Sequence, residues 1–292
     1  MANLERKIRM KRIKSFTDNH PILYMIATPI GNLKEMTPYA LEVLSMVDMV
    51  FSEDTRNTKS LLSKFNIHKE CYSLREHNES SMSDKIISLL KEGKKLAYMS
   101  DAGYPAISDP GKILVKKVRE EGFAVSTIAG SNAMLSALVS SSRDTNHFYF
   151  YGFLSSQDSK AIEELKLLKD RTETLVFYEA PHRIKRTLEL MFDSFGNRET
   201  TLARELTKLN EEFIEGTLSE LKEIDESTLI GEMVVLVEGN KETNEVDEKE
   251  ILKRAKYLLD KNIKTKDVSD IIAYEFKINK NYVYDLIIKN QK

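Results

Sequence analysis

Short apolar runs take turns along most of the chain with longer stretches of helical spacing. Runs of strand length are ILYMIA (22–27), DMVFSE (48–53), CYSL (71–74), KLAYMS (95–100) and AVSTIA (124–129). Between and after them, YALEVLSMV (39–47), TRNTKSLLSKF (55–65), SSMSDKIISLLKEG (80–93), GKILVKKVREEG (111–122) and SNAMLSALVSS (131–141) repeat apolar positions at the period of a helix with one buried face. Thr37 followed by Pro38 opens the first helix, because a threonine side chain caps and proline fits the first turn. Gly93 and Gly122 close two others. Such a β-α repeat predicts a parallel sheet covered on both faces.

A second alternating block follows the polar connection SSRDTN (141–146). Its strands are HFYFYGFL (147–154), TLVFYE (174–179), TTLARE (200–205) and IGEMVVLVEG (230–239), and its helices are KAIEELKLLKD (160–170) and PHRIKRTLELMFDSFG (181–196). In the latter, Pro181 suits the first turn, and Ile184, Leu188, Met191 and Phe195 form one apolar stripe. EEFIEGTLSELKEI (211–224) lies between the last two strands, and NKETNEVDEKE (240–250) reads as a linker before three helical segments. A chain of 292 residues is longer than one core usually serves. The expected parts are a basic arm over 1–20, α/β domains over 21–142 and 143–240, and a helix-turn-helix-like tail over 241–292. Thr265 and Asn279 are its candidate caps, and Tyr274, Tyr282 and Tyr284 sit among lysines, a mixture compatible with RNA contact or with half-buried packing.

In a parallel sheet, ligands gather outside the carboxyl ends of the strands. Three irregular loops converge there: ATPIGNL, in which Gly31 permits close approach and Pro29 stiffens the turn; SEDTR, which groups Glu53, Asp54 and Arg56; and SDAGYPAISDPG (100–111). That last loop spends twelve residues where two to six usually turn a strand into a helix. In the second block, Arg183, Lys185 and Arg186 crowd a helix start, where the macrodipole disfavours cations and a nearby anion would compensate. Side chains reaching solvent explain the cluster equally well. ARELTK sets Arg204 beside Glu205 at a strand end, where an internal ion pair is the ordinary reading.

Composition narrows the chemistry. With 44 Lys and Arg against 46 Asp and Glu, the net charge of -2 provides no general attraction for a polyanion, so any nucleic-acid contact must be local. One cysteine, Cys71, excludes a disulfide framework and a cysteine-based zinc site, and fits a reducing cytosol. The five histidines lack metal-binding spacing, so no metal is expected. No GxGxxG or GxxxxGK[ST] loop follows a strand. No apolar run reaches membrane-spanning length and no signal-peptide core follows the basic start, so a cytoplasmic protein is expected.

LYMIATPIGNLKEMTPYALEVL, FSEDTRNTKSLL, SDAGYPAISDPG, LVFYEAPHRI and ARELTK, in this order and spacing, resemble the bacterial ribosomal RNA small subunit methyltransferase I family. That family is the 2′-O-cytidine branch of the tetrapyrrole (corrin/porphyrin) methylase superfamily, and the resemblance covers roughly residues 22 to 290. It implies two α/β domains with an S-adenosylmethionine cleft between them, a homodimer, and methylation of a cytidine 2′-hydroxyl in 16S ribosomal RNA of the small subunit. Carried across by motif, the cofactor positions are Pro29, Ile30, Gly31, Asp101, Gly103, Tyr104, Ile107, Asn132, Ala133, Glu179 and Ala203. Relatives commonly carry Gly-Thr-Pro in place of Gly103-Tyr104-Pro105, and Pro-Gly-Pro or Pro-Gly-Ala in place of Ala129-Gly130-Ser131. Losing both prolines removes stiffness from the turn before Asn132.

A 2′-hydroxyl acceptor needs a proton acceptor, and the unranked candidates are Glu53, Asp54, Asp101, Glu179 and His182. Arg56, Arg183, Arg186 and Arg204 are candidates for gripping phosphate or orienting a carboxylate, because guanidinium forks suit both tasks. Asp54–Arg56 and Arg204–Glu205 serve equally as structural ion pairs. Two rival readings remain: a methylase acting on a tetrapyrrole precursor, and a ligand-sensing regulator that binds nucleic acid through its tail. The lysines and tyrosines of that tail and the basic arm weigh against the first. The convergent loops and carboxylates weigh against the second.

Overall fold

A computed structural model describes residues 12–15, 20–241, 248–276 and 278–290. Most of the expected basic arm and of the linker lies outside them. In chain order the first elements are β1 (Ile22–Ile26), α1 (Pro38–Met46), β2 (Met49–Ser52), α2 (Thr55–Lys64), β3 (Glu70–Ser73), α3 (Glu79–Lys91), β4 (Leu96–Met99), α4 (Lys112–Glu120), β5 (Ala124–Ile128) and α5 (Ala133–Ser140). The five strands form a wholly parallel sheet ordered β3-β2-β4-β1-β5. Side chains alternate across it: Ile22, Tyr24 and Ile26 pack with α1 and α2, whereas Leu23 and Met25 pack with α3 and α4. Both faces are therefore covered, as the alternation predicts.

The sheet order also fixes where a ligand can sit. β1 and β4 are neighbours at its centre, yet β1 leads across the sheet to β2 while β4 leads the opposite way to β5. Right-handed crossovers running in opposite directions put α1 and α4 on opposite faces, and the loops leaving β1 and β4 diverge. A crevice at such a reversal is open at the carboxyl ends of the strands.

The second half contains β6 (Phe148–Phe153), α6 (Asp158–Leu168), β7 (Thr174–Glu179), α7 (Ile184–Phe195), β8 (Glu199–Arg204), β9 (Glu212–Thr217), α8 (Leu218–Leu221) and β10 (Met233–Val237). Its sheet, ordered β6-β7-β10-β8-β9, is mixed: only β6 and β7 run parallel. One face packs on α6, α7 and α8, with Ile184, Leu188, Met191 and Phe195 buried as the stripe predicts. The other face, with Val176, Ala203, Val234 and Leu236, packs on Ala137 and Leu138 of α5. The helix that follows the first sheet thus covers the second. Residues up to Gly239 accordingly form one compact unit.

The second unit holds α9 (Glu248–Leu259), α10 (Thr265–Phe276) and α11 (Lys280–Asn290) around its own core of Ile251, Ala255, Val268, Ile272, Val283 and Ile287. Asn279 caps α11 by accepting from the backbone N–H of Asn281 at 2.8 Å. Tyr274, Tyr282 and Tyr284 are all exposed, and the Tyr282 hydroxyl donates to Glu248. Among the described residues, no helix is long and apolar enough to cross a membrane.

Candidate active site

The twelve-residue loop SDAGYPAISDPG leaves β4 and is stapled to the end of β1. Thr28 and Gly103 exchange both backbone hydrogen bonds, at 2.9 and 3.0 Å, and the Thr28 hydroxyl donates to the Ser100 carbonyl. The Ser100 hydroxyl in turn donates to the Gly103 carbonyl at 2.9 Å. Beyond that staple the chain coils tightly: Gly103, Ala106, Ser108 and Gly111 all have positive φ, of 70°, 68°, 62° and 132°. Two of these are non-glycine residues in a region that costs an L-residue about 1–2 kcal/mol. Such strain persists only where surrounding contacts hold it. Here the buried Glu79 of α3 does so, one carboxylate oxygen accepting from the backbone N–H groups of Gly111, Ile113 and Leu114 at 2.8–3.0 Å. The same carboxylate serves as the cap for α4, whose own N-cap residue, Gly111, has no side chain. A Cβ at Gly111 would lie 3.1 Å from the Tyr98 ring, so position 111 needs glycine on both counts.

Between this loop and the carboxyl end of β7 opens a cavity of about 390 Å3. Its first wall is Ile30, Asp101–Tyr104, Ile107–Asp109, Asn132 and Ala133, and its second is Phe153, Tyr178–Pro181, Glu205, Leu206, Lys208 and Glu232–Val234. A second recess, of about 320 Å3, adjoins it and shares Ile30, Asp101, Ala102, Lys208 and Glu232. Pro29, Gly31, Asn57, Thr58 and Leu61 line only this recess. The two walls are clipped together: the Asn32 N–H donates to the Thr207 hydroxyl at 3.1 Å, and the Met134 N–H to the Tyr178 hydroxyl at 3.3 Å. Gly31 is required at the first clip, since a Cβ there would sit 2.6 Å from Lys208 Cγ.

The cavity combines apolar walls with negative charge. Lys208, the lysine on its lining, is paired with Glu205 at 2.9 Å. Asp101, Asp109 and Glu232 have no ion pair among the described residues. Burial, and then the carboxylates of Glu53 and Asp101, push the Asp109 carboxyl up to about 6. Tyr98, beneath the loop, is fully buried, and its hydroxyl has no hydrogen-bond partner. Burial first, and then Asp109, Glu53, Glu79 and Asp101, push that hydroxyl upward.

The other residues singled out in the sequence divide clearly. Ile30, Asp101, Gly103, Tyr104, Ile107, Asn132, Ala133 and Glu179 line the cavity, Pro29 and Gly31 line the recess, and Ala203 is buried beneath the second sheet's cleft-side face. Asn132 also caps α5 through its side-chain oxygen. Glu179 is 2% exposed and committed to the protein: it accepts from the Ala180 N–H and the Thr187 hydroxyl and faces Arg183 at 3.4 Å. Asp54 caps α2 and grips Arg56 at 2.7 Å, a hydrogen bond that holds its carboxyl well below the usual range. Glu53, Asp54, Arg56 and the exposed His182 line neither cavity.

The arginines are engaged with the protein. Arg183 also donates to the carbonyls of Leu154 and Ser155, and the half-exposed Arg186 pairs with Asp158 and Glu189. Arg204 pairs with Glu212 across the β8–β9 ladder rather than with its neighbour Glu205. The helix expected to open at Pro181 begins at Ile184, because Pro181–Arg183 form a turn held by the Arg183 N–H to the Ala180 carbonyl. Asp109, Tyr178, Lys208, Glu232 and Asn57 were not singled out in the sequence. Asn57, Tyr178, Lys208 and Asp109 lie inside stretches the sequence marks, FSEDTRNTKSLL, LVFYEAPHRI, ARELTK and SDAGYPAISDPG, and that placement is the signal they carried; Glu232 had none. No group of three or more His, Cys, Asp or Glu among the described residues is arranged to hold a metal ion.

Residues 22–222 match the family model of the tetrapyrrole (corrin/porphyrin) methylases. Over 272 residues the chain is 43% identical to the ribosomal RNA small subunit methyltransferase I of Bacillus subtilis, an alignment covering 90% of this chain and 93% of that one. The chain belongs to the ribosomal RNA small subunit methyltransferase I family. Members from Halalkalibacterium halodurans and Vibrio cholerae are 45% and 37% identical, over 79% and 95% of this chain and 80% and 98% of theirs. The fold is shared more widely. Uroporphyrin-III-C-methyltransferase from Thermus thermophilus superposes with a TM-score of 0.54 at 17% identity, covering 75% of this chain and 94% of that one. For diphthine synthase the values are 0.57, 13%, 74% and 89%.

Against the common pattern of the ribosomal RNA small subunit methyltransferase I family, Tyr104 and Ser131 make sense together. The Tyr104 hydroxyl accepts from the Gly130 N–H at 3.3 Å, and the Ser131 hydroxyl donates to the Glu35 carboxylate. Two hydrogen bonds thus hold the turn before Asn132. Gly130 lies close against Ala27, where a Cβ would come within 3.0 Å of Ala27 Cβ.

Proposed function

We propose that this chain transfers a methyl group from S-adenosylmethionine to the 2′-hydroxyl of a cytidine in 16S ribosomal RNA of the small ribosomal subunit. The observation that carries the reading is the cleft at the sheet reversal, apolar along its walls and bordered by Asp101, Asp109 and Glu232 without a counter-ion among the described residues. Such a lining suits a ligand with a flat apolar body and a positive charge, and disfavours an anionic one. S-adenosylmethionine has that character, and when bound it supplies an electrophilic methyl group on a sulfonium. Ile30, Gly103, Tyr104, Ile107, Asn132 and Ala133 would hold it from the first half, and Tyr178, Met233 and Val234 from the second. Contacts on both sides would align the donor with an acceptor; alignment of this kind supplies up to about 7–11 kcal/mol of a barrier.

The adjoining recess, with Asn57, Thr58 and Asp101 on its wall, is the proposed entry through which the acceptor ribose reaches the main cavity, with which it shares Ile30, Asp101, Ala102, Lys208 and Glu232. The relatives' alignments extend over nearly the whole chain, tail included, which supports an RNA acceptor over a tetrapyrrole. The tail's exposed tyrosines and lysines are proposed to meet RNA, and the enzyme to act in the cytoplasm as a homodimer. Calorimetry with S-adenosylmethionine, followed by a tritiated-methyl assay on 30S subunits and on free porphyrinogen, tests the reading. Binding and label confined to 30S subunits are expected. Label in the porphyrinogen, or no binding, contradicts it.

A further inference from the structure

Eight carboxylates or imidazoles lie on or near the cleft, and their surroundings separate them: Glu205 is paired with Lys208, and Glu232 is exposed. Glu179 has both oxygens engaged, by the Ala180 N–H, the Thr187 hydroxyl and Arg183. Asp54 is locked to Arg56 and to the start of α2. His182 is exposed and, like Glu53, lines neither cavity. Asp101 is exposed and accepts from the Asn57 side chain at 2.8 Å. Asp109 remains: it is half-buried, lines the cavity itself, and its carboxylate makes no hydrogen bond or ion pair among the described residues.

Its position is also built. Ala106 and Ser108 hold positive φ on one side of it, and Gly111 on the other. The Ala106 N–H closes the coil onto the Pro110 carbonyl at 3.2 Å, and Glu79 pins Gly111 from α3. Tyr98 brings a fully buried, unpartnered hydroxyl from β4, with Asp109 the leading charge acting on it. Glu53 at the end of β2 and Asp101 after β4 add negative charge from the sheet, and the charge of Asp109 also pushes the Tyr178 hydroxyl of β7 upward, after burial. No cation offsets this group among the charges that act on it.

We infer that Asp109 takes the proton from the acceptor hydroxyl in the cleft. The inference rests on the methyl-transfer reading above. In that step the acceptor oxygen bonds to the methyl carbon as the carbon–sulfur bond breaks, its electron pair remaining on sulfur. The hydroxyl proton passes to a carboxylate oxygen of Asp109 and from there to water. A carboxyl that titrates at about 6 is ionised, and so ready to accept, at neutral pH, yet more basic than an ordinary aspartate.

The test uses the full chain and two substitutions, Asp109→Asn and Glu53→Gln. In the unloaded protein, carbon-13 NMR of the aspartate carboxyls should show one signal titrating near pH 6. That signal should be absent in Asp109→Asn and shifted to lower pH in Glu53→Gln, which removes a neighbouring like charge. With 30S subunits, Asp109→Asn should lose about 100-fold or more in kcat while binding S-adenosylmethionine within about threefold of the wild type. The wild-type rate should fall below about pH 6, and Glu53→Gln should move that limb downward with the NMR midpoint. Retention of more than about a tenth of the rate by Asp109→Asn overturns the assignment. So does an acidic limb unmoved by Glu53→Gln, which decides the matter even if Asp109→Asn fails to fold. A wild-type chain that binds no S-adenosylmethionine overturns the methyl-transfer reading itself, and this inference with it.

Discussion

At the scale of single residues, Asp109 couples stability to pH in a direction opposite to most aspartates. Its ordinary value is 3.8 and burial raises it to about 6, so between those values the folded protein holds a proton that the unfolded chain has released. Stability therefore falls as pH rises through that window, and above it the half-buried charge costs about 1 kcal/mol once solvent screening is allowed for. Asp109→Asn should raise the urea midpoint at pH 7.5 and lose that advantage near pH 4. Tyr104→Phe removes the acceptor for the Gly130 N–H and should cost about 0.5–1.5 kcal/mol of stability by the same measurement. Both positions sit in the loop that stood out in the sequence, and Asp101, Gly103 and Tyr104 were legible there from motif and turn chemistry. Asp109 was not, because its character comes from burial and from Glu53 on another strand. The ion partners were hidden for a similar reason: Arg204 finds Glu212 across a ladder, a pairing that neighbours in sequence do not reveal.

At the scale of elements, α4 begins without a side-chain cap of its own and borrows one from α3. Glu79→Ala leaves the buried N–H groups of Gly111 and Leu114 without their acceptor and should cost at least about 2 kcal/mol in urea denaturation, whereas Glu79→Gln, which keeps a carbonyl oxygen, should lose less. Nothing local signals this cap, since 32 residues separate Glu79 from Gly111. The strands and most helices were legible because each carries its own apolar period and stop residues; Thr37 caps α1 where the Thr-Pro pair predicts. The start of α7 was not, because a turn held by a backbone hydrogen bond competes with proline's fit to the first helical turn. Nor does periodicity show that α5 covers the second sheet, since an apolar stripe does not name its partner.

At the scale of the whole molecule, the cleft exists because two differently built sheets are held wall to wall. Gly31→Ala would drive a methyl group against Lys208 and Thr207 and should weaken S-adenosylmethionine binding about tenfold, measured by calorimetry. The helical unit has its own core, so a chain ending at residue 241 should still bind S-adenosylmethionine within about threefold of the full chain while losing methyl transfer to 30S subunits. Parallel order in the first sheet was legible from β-α alternation, whereas the antiparallel pairing of β10 with β7 and β8 depends on long-range register that strand-length runs do not specify. The proposed reaction makes one bond, between a methyl group and a ribose oxygen. Labelled 16S ribosomal RNA from a reaction with tritiated S-adenosylmethionine can be digested to nucleosides and separated. Label is expected in 2′-O-methylcytidine alone; label on a base, on another ribose, or none at all would overturn cytidine 2′-O-methylation.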